Sequence, residues 1–178
     1  ALPLGSYTGN LTILDSNALN SPVTIHVQFN IGRTLNVPAQ FDTIQQAIDE
    51  AEDYDMVLVA DGIYTGDGNR DMLLIGKSIT VCSENGPQNT IIDCNGSKAE
   101  PHYGFYFVNN ENINAIFDGF TITNGYVLGI GAGIACYQNV RSTLTISNCN
   151  ITGNTAFSFI GEPLNYSYGS GGGIWATS

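Results

Sequence analysis

Positive charge is what this chain has least of. It carries 5 lysines and arginines against 16 aspartates and glutamates, a net charge of −11. A surface of that sign repels phosphate backbones and anionic headgroups, so nucleic acid and membrane insertion are not expected. Charge of either sign is scarce, at 12% of the residues, about half the usual share. No apolar run approaches the roughly 20 residues that a spanning helix needs. The four cysteines, Cys82, Cys94, Cys136 and Cys149, show no CxxC spacing, which argues against a zinc site. A Cys82–Cys94 bridge stays open as an alternative to free thiols. Nothing leader-like opens the residues shown, and Ala1 stands within a strand-like pattern, which leaves a secretion signal upstream open.

What the chain does have is a repeat. Residues 116–125 read IFDGFTITNG and residues 145–154 read TISNCNITGN. At an offset of 29 they pair Phe117 with Ile146, Phe120 with Cys149, Ile122 with Ile151 and Thr123 with Thr152. A second recurring segment follows each copy, GAGIACY at 131–137 and GGGIWAT at 171–177, and HYGFYFV at 102–108 fits the same slot one period earlier. Short β-rich segments at a fixed period are the mark of a solenoid. The expected ladders are Phe117/Ile146, Ile122/Ile151 and Phe105/Ile134/Ile174. Cys149, in the slot of Phe120, reads as a small buried apolar residue.

The first 32 residues differ from the rest. GNLTILDS and SPVTIHVQFNI alternate as two strands around an Asn- and Ser-rich turn, with Val23, Ile25, Val27 and Phe29 on one side and Thr24, His26 and Gln28 on the other. A lone hairpin is marginal in water, so its apolar side requires a cover. Residues 33–55 read as a linker followed by a helix over 41–51, with Phe41, Ile44, Ala47, Ile48 and Ala51 on one face. Asp42 is the expected N-cap, with Gln45 completing a capping box. Such a helix would cover the open edge of the first coil. Residues 56–178 are strand, turn, strand throughout, punctuated by Asp61-Gly62, Asn85-Gly86-Pro87, Asn95-Gly96 and Asn124-Gly125.

The residues TIQQAIDEAEDYDMVLVADGIYTGDGNRD, GKSITVCSENGPQNTIIDCNG, FDGFTITNGY and GGGI resemble the secreted bacterial proteins of the pectin-lyase-like superfamily. The resemblance covers about residues 33–178. It implies an all-β fold, a right-handed parallel β-helix with three strands per coil and an N-terminal capping α-helix. The stretch Y-T-G-N-L-T-I…S-N…S-P-V-T-I-H-V resembles the last two strands of an immunoglobulin-like module. Residues 1–32 would then be the end of an incomplete sandwich, and the chain a piece of a longer polypeptide.

Members of that superfamily include lyases, hydrolases, adhesins and surface components, so the fold does not choose a function. Lyases of the fold use a basic residue to abstract a proton, often beside calcium. The basic residues here, Arg33, Arg70, Lys77, Lys98, Arg141, His26 and His102, form no pair at equivalent positions of consecutive coils, and Lys77 reads as a solvated strand-end charge. Asp93 and Asp118 end strands and read as turn carboxylates bonding backbone N–H groups. No catalytic residue and no organic cofactor is therefore expected. Asp67, Asn69 and Asp71 place oxygens at alternate positions, as calcium loops do, although no glutamate stands at the twelfth position; an ordinary polar turn is the competing reading. Tyr106, Tyr137 and Trp175 are candidate contacts for a glycan or a protein, with Trp175 alternating outward from Ile174. The expected function is a non-catalytic secreted or cell-surface scaffold acting in adhesion, envelope or extracellular fibre assembly, partnered by other protein chains through strand addition or by glycans. The alternatives are a uronate lyase-like enzyme and a carbohydrate-binding module.

Overall fold

The computed structural model describes residues 3–109, 114–138, 143–157 and 172–177. It begins with β1 (Gly5–Ile13), β2 (Val23–Ile31) and β3 (Thr34–Val37), followed by α1 (Ile44–Glu50). Then come β4 (Met56–Val59), β5 (Gly62–Tyr64), β6 (Met72–Ile75), β7 (Thr80–Ser83) and β8 (Thr90–Asp93). The next run is β9 (Phe105–Asn109), β10 (Asn114–Asp118), β11 (Thr121–Thr123), β12 (Tyr126–Leu128) and β13 (Ile134–Gln138). The last described strands are β14 (Thr143–Ser147), β15 (Asn150–Ile151), β16 (Thr155–Phe157) and β17 (Ile174–Thr177). The chain is mostly strand. Apart from the antiparallel β1–β2 pair, the strands form parallel sheets in the orders β14-β10-β7-β4-β3, β15-β11-β8-β5, β12-β16 and β17-β13-β9-β6.

The pairing follows the internal repeat. Phe117 lies opposite Ile146, Ile122 opposite Ile151, and Ile134 between Phe105 and Ile174. Each sheet stacks one copy of a segment on the next, about 4.8 Å away. Alternation does the rest: in β10 the pattern is exposed, buried, exposed, buried from Asn114 to Phe117. The inward residues form one core. Phe105 stacks on Phe107 at 4.6 Å, Phe117 stacks on Phe120 at 4.6 Å, and Phe105 meets Phe117 at 4.8 Å; all four side chains are fully buried. Cys149 is half-buried against this core, where its Sγ accepts from Phe120 N.

The turns repeat with the strands. Asn95, Asn124 and Gly153 occupy one turn slot and Gly119 and Asn148 another, and all five have positive φ. That conformation is open to Gly and tolerated by Asn, but crowds a Cβ-branched residue. Backbone approach also selects glycine: a Cβ on Gly104 would lie 2.6 Å from Gly133 O, and one on Gly133 would lie 2.6 Å from Gly173 O.

α1 packs against β3, β4 and β6, burying Ile44, Ala47 and Ile48, with Ala51 also buried and Phe41 against the core. The face read from the sequence is the buried one, but the boundaries differ. Thr43 is the N-cap, its Oγ1 accepting from Gln46 N, where Asp42 was expected. Gln45 makes no capping box. Its side-chain amide instead accepts from Leu73 N at 2.7 Å and donates to Leu73 O at 3.0 Å, satisfying the open edge of β6. Lys77 is not a solvated strand-end charge: its Nζ donates to Ile48 O and Asp49 O, the carbonyls at the negative end of the helix. The stretch read as a linker contains β3, which pairs with β4 in parallel.

The exit of the hairpin is fixed by Asp55, which accepts from Arg33 N, Nε and Nη2 and from Glu52 N. Burial pushes its carboxyl up, but the Arg33 guanidinium and the N–H groups of Glu52 and Arg33 outweigh burial and hold it below the usual carboxylate range. A carboxyl with a lowered folded pKa stabilises the fold above its unfolded pKa, near about 4, and loses that contribution as pH falls through the folded value. Urea unfolding at a series of pH values below about 5 should therefore show an acid-side loss of stability in the native chain that Asp55→Asn reduces. In the core, Phe117→Ala should cost about 3–5 kcal/mol, measured as a lower urea midpoint with an unchanged slope.

Candidate functional site

The largest departure from ordinary burial among the described residues is the β1–β2 face. The register sets Tyr7 opposite Phe29, Gly9 opposite Val27, Leu11 opposite Ile25 and Ile13 opposite Val23. By strand alternation these residues share one side, and Ser6, Thr8, Asn10, Thr24, His26 and Gln28 share the other. On the polar side Ser6 bonds Asn30, and His26 Nδ1 lies 2.6 Å from Asn10 Oδ1. On the apolar side Tyr7 and Phe29 stack at 5.2 Å, yet the row from Val23 (39% exposed) to Leu11 (56% exposed) stays open. The alternation across 23–29 assigns the two faces correctly, but it cannot show whether anything covers them.

This face is also nearly uncharged. Of the 16 acidic residues only Asp15 precedes residue 33, and no lysine or arginine does. Asp15 is used in the turn, where its Oδ1 accepts from Asn17 N.

The residues singled out for chemistry are distributed differently from a catalytic groove. Arg70 donates from Nη1 to Cys94 O and stands 3.6 Å from Asp67, and its Nε is buried without a hydrogen-bond partner. Arg33 serves Asp55, and Lys77 serves α1. Lys98 is exposed, and Arg141 lies outside the described residues. Asp93 accepts from Asn95 N and Asn124 Nδ2, and Asp118 from Ser147 Oγ and Asn148 Nδ2. They stand in different sheets.

Asp67, Asn69 and Asp71 do not converge. Asp67 is fully exposed beside Arg70. Asn69 is buried, with its oxygen accepting from Ile44 N and its amide donating to Thr65 O. Asp71 accepts from Tyr103 N and lies 2.5 Å from His102 Nδ1. Among the described residues no three His, Cys, Asp or Glu side chains gather as a metal site. The Asp71–His102 pair was not anticipated. The only signal for it is a spacing of 31 residues, close to the period, which places the two at strand entries on neighbouring copies.

Tyr106, Ala135 and Trp175 occupy one rung position on successive strands, as the repeat predicts. Tyr106 and Trp175 are partly buried and Ala135 is buried. The side chain of Tyr137 lies outside the described residues.

All four cysteines are free thiols. Burial pushes Cys94 up to about 12 and Cys136 up to about 11, so both are protonated and poorly nucleophilic at neutral pH. Among the described residues no helix is long and apolar enough to cross a membrane. Comparison of the chain with protein-family models, curated proteins and solved structures gave no match. With iodoacetamide at pH 8, Cys94 and Cys136 should react only as fast as the fold opens, and mass spectrometry of peptides from native and urea-treated protein reads the difference.

Proposed function

We propose that the chain is a secreted or cell-surface scaffold of the pectin-lyase-like kind: a right-handed parallel β-helix, with three strands in its first coils and a fourth, β12 or β16, in its last two, and with α1 as its N-terminal cap. In this reading it joins a larger extracellular assembly through the β1–β2 face. The observation that carries the proposal is the open row Leu11, Ile13, Val23, Ile25, Val27 and Phe29. A hairpin with an uncovered apolar side is marginal alone. Unpaired strand edges accept further strands through main-chain hydrogen bonds.

The occupant is a second copy of this chain. Charge supports that choice: two molecules of net charge −11 repel each other, and the stretch before residue 33 is where they meet at least electrostatic cost. The roles of Arg33, Arg70, Lys77 and His102 favour a scaffold over a uronate lyase, since each is engaged in holding the fold.

Sedimentation velocity over a wide concentration range should show self-association in the native chain. Ile25→Lys with Val27→Glu should return it to a monomer without altering the melting of the remaining sheets. A chain that stays monomeric at every concentration, with its hairpin amides protected from hydrogen exchange, would overturn assembly through this face.

A further inference from the structure

The hairpin does not leave the parallel sheets through a loose tether. Two residues, Gly32 and Arg33, separate the end of β2 at Ile31 from the start of β3 at Thr34. Both are gripped by the turn that precedes β4. A Cβ on Gly32 would lie 2.1 Å from Tyr54 O and 2.7 Å from Asp55 N, so the backbone of the junction sits directly on the backbone of that turn. Arg33 donates to Asp55 from its N–H and its guanidinium, Arg33 Nη2 also donates to Glu50 O, and Met56 N donates to Arg33 O at 2.8 Å. The turn is itself held in an unfavourable shape. Tyr54 has a φ of 74°, a left-handed conformation that a bulky side chain rarely adopts. Tyr54 N donates to Ser78 O at 2.7 Å and Ser78 N donates to Asp53 Oδ1 at 2.8 Å, which ties the turn to the entry of β7. Strain that the surrounding bonds maintain points to a role for the shape it enforces.

What that shape enforces is the direction of the hairpin, and direction matters because the docking face is small. Strands of nine residues give a face about 30 Å long and, across two strands, about 10 Å wide. Each partner of a standard stable interface buries roughly 800 Å². A face smaller than that binds well only when little freedom is lost on contact. A hairpin on a loose tether would lose its freedom at every encounter, whereas a clamped one has already lost it on folding. The face also matches only itself. The exposed large apolar residues of the described strands beyond β3 are Ile63, Ile116, Leu128, Phe157 and Ile174, and they are divided among four sheets. A contact between identical faces is isologous, and an isologous contact closes at two copies.

We propose that the Gly32–Arg33 junction clamps the hairpin as a preorganised arm, and that two such arms pack apolar face on apolar face about a two-fold axis, closing a dimer. This rests on the assembly reading above and adds what that reading leaves open, the number of copies and the residues that aim the face. Gly32, Arg33 and Asp55 are positioning residues, which act through the direction of the arm. The polar side, with His26 beside Asn10 and Ser6 bonded to Asn30, is left toward water.

Sedimentation equilibrium of the whole chain should give a molar mass that rises with concentration and levels at two copies. Inserting Gly-Ser-Gly-Ser between Ile31 and Gly32 leaves the clamp residues in place and loosens only the arm. It should weaken the dimer about tenfold, the factor that corresponds to reordering one backbone residue, with the thermal melt unchanged. The aim of the arm is read separately, by residual dipolar couplings on the monomeric Ile25→Lys, Val27→Glu variant. Amides of β1–β2 and of the parallel sheets should fit one alignment tensor, and the insertion should divide them between two. A mass that climbs past two copies overturns the closed dimer while leaving assembly through the face intact, and a chain monomeric at every concentration overturns both. An inserted chain that dimerises as tightly as the native one, or hairpin couplings that need their own tensor before any insertion, overturns the clamp.

Discussion

Parallel, in-register hydrogen bonding between successive copies of a segment is the constraint on which the rest of the structure depends. It places Phe117 over Ile146 and Ile122 over Ile151, so the side chain at one position is judged by the side chain one period away. Apolar columns follow, and they are continuous only while the register holds, because a slip of one residue would turn every inward side chain outward. The same constraint reaches the turns. Asn or Gly recurs at the positive-φ slots because each turn must return the chain to the same register at the next level.

Stacked parallel strands create ends, and each end leaves backbone groups without partners. At the β3 and β6 edges the chain answers with its only helix among the described residues. α1 buries Ile44, Ala47 and Ile48 and presents the Gln45 amide to Leu73 as a substitute strand. Lys77 and Asn69 then satisfy the two ends of that helix. Much of the scarce positive charge is committed to such tasks. Arg33 locks the hairpin exit to Asp55 and Arg70 holds Cys94 O, which is why a chain with five basic residues offers few of them to a ligand. The apolar side of the β1–β2 pair has no comparable cover among the described residues.

The strands and their pairing are largely legible in the amino-acid pattern. The offset of 29, the ladders at Phe105, Phe117, Ile122 and Ile134, and the apolar face of 41–51 all follow from it, since alternation and periodicity are set by neighbours along the chain. The cap at Thr43, the Gln45 bridge to Leu73 and the anchoring of Lys77 are not legible there. Each depends on a partner 28 or more residues away or on the local angle at which the helix settles. The alternate oxygens of Asp67, Asn69 and Asp71 look like one loop in sequence, yet they point to three different partners in space.

The sequence by itself determined which residues face inward and which copies stack, because both are properties of a repeated local pattern. Only the tertiary structure decided that Asp71 meets His102 and that the hairpin's apolar row has no cover among the described residues. Those outcomes depend on how turns of unequal length fold back across neighbouring strands. The recurring Asn and Gly of the turns fix where the chain bends, but not what each bend meets on the neighbouring strands.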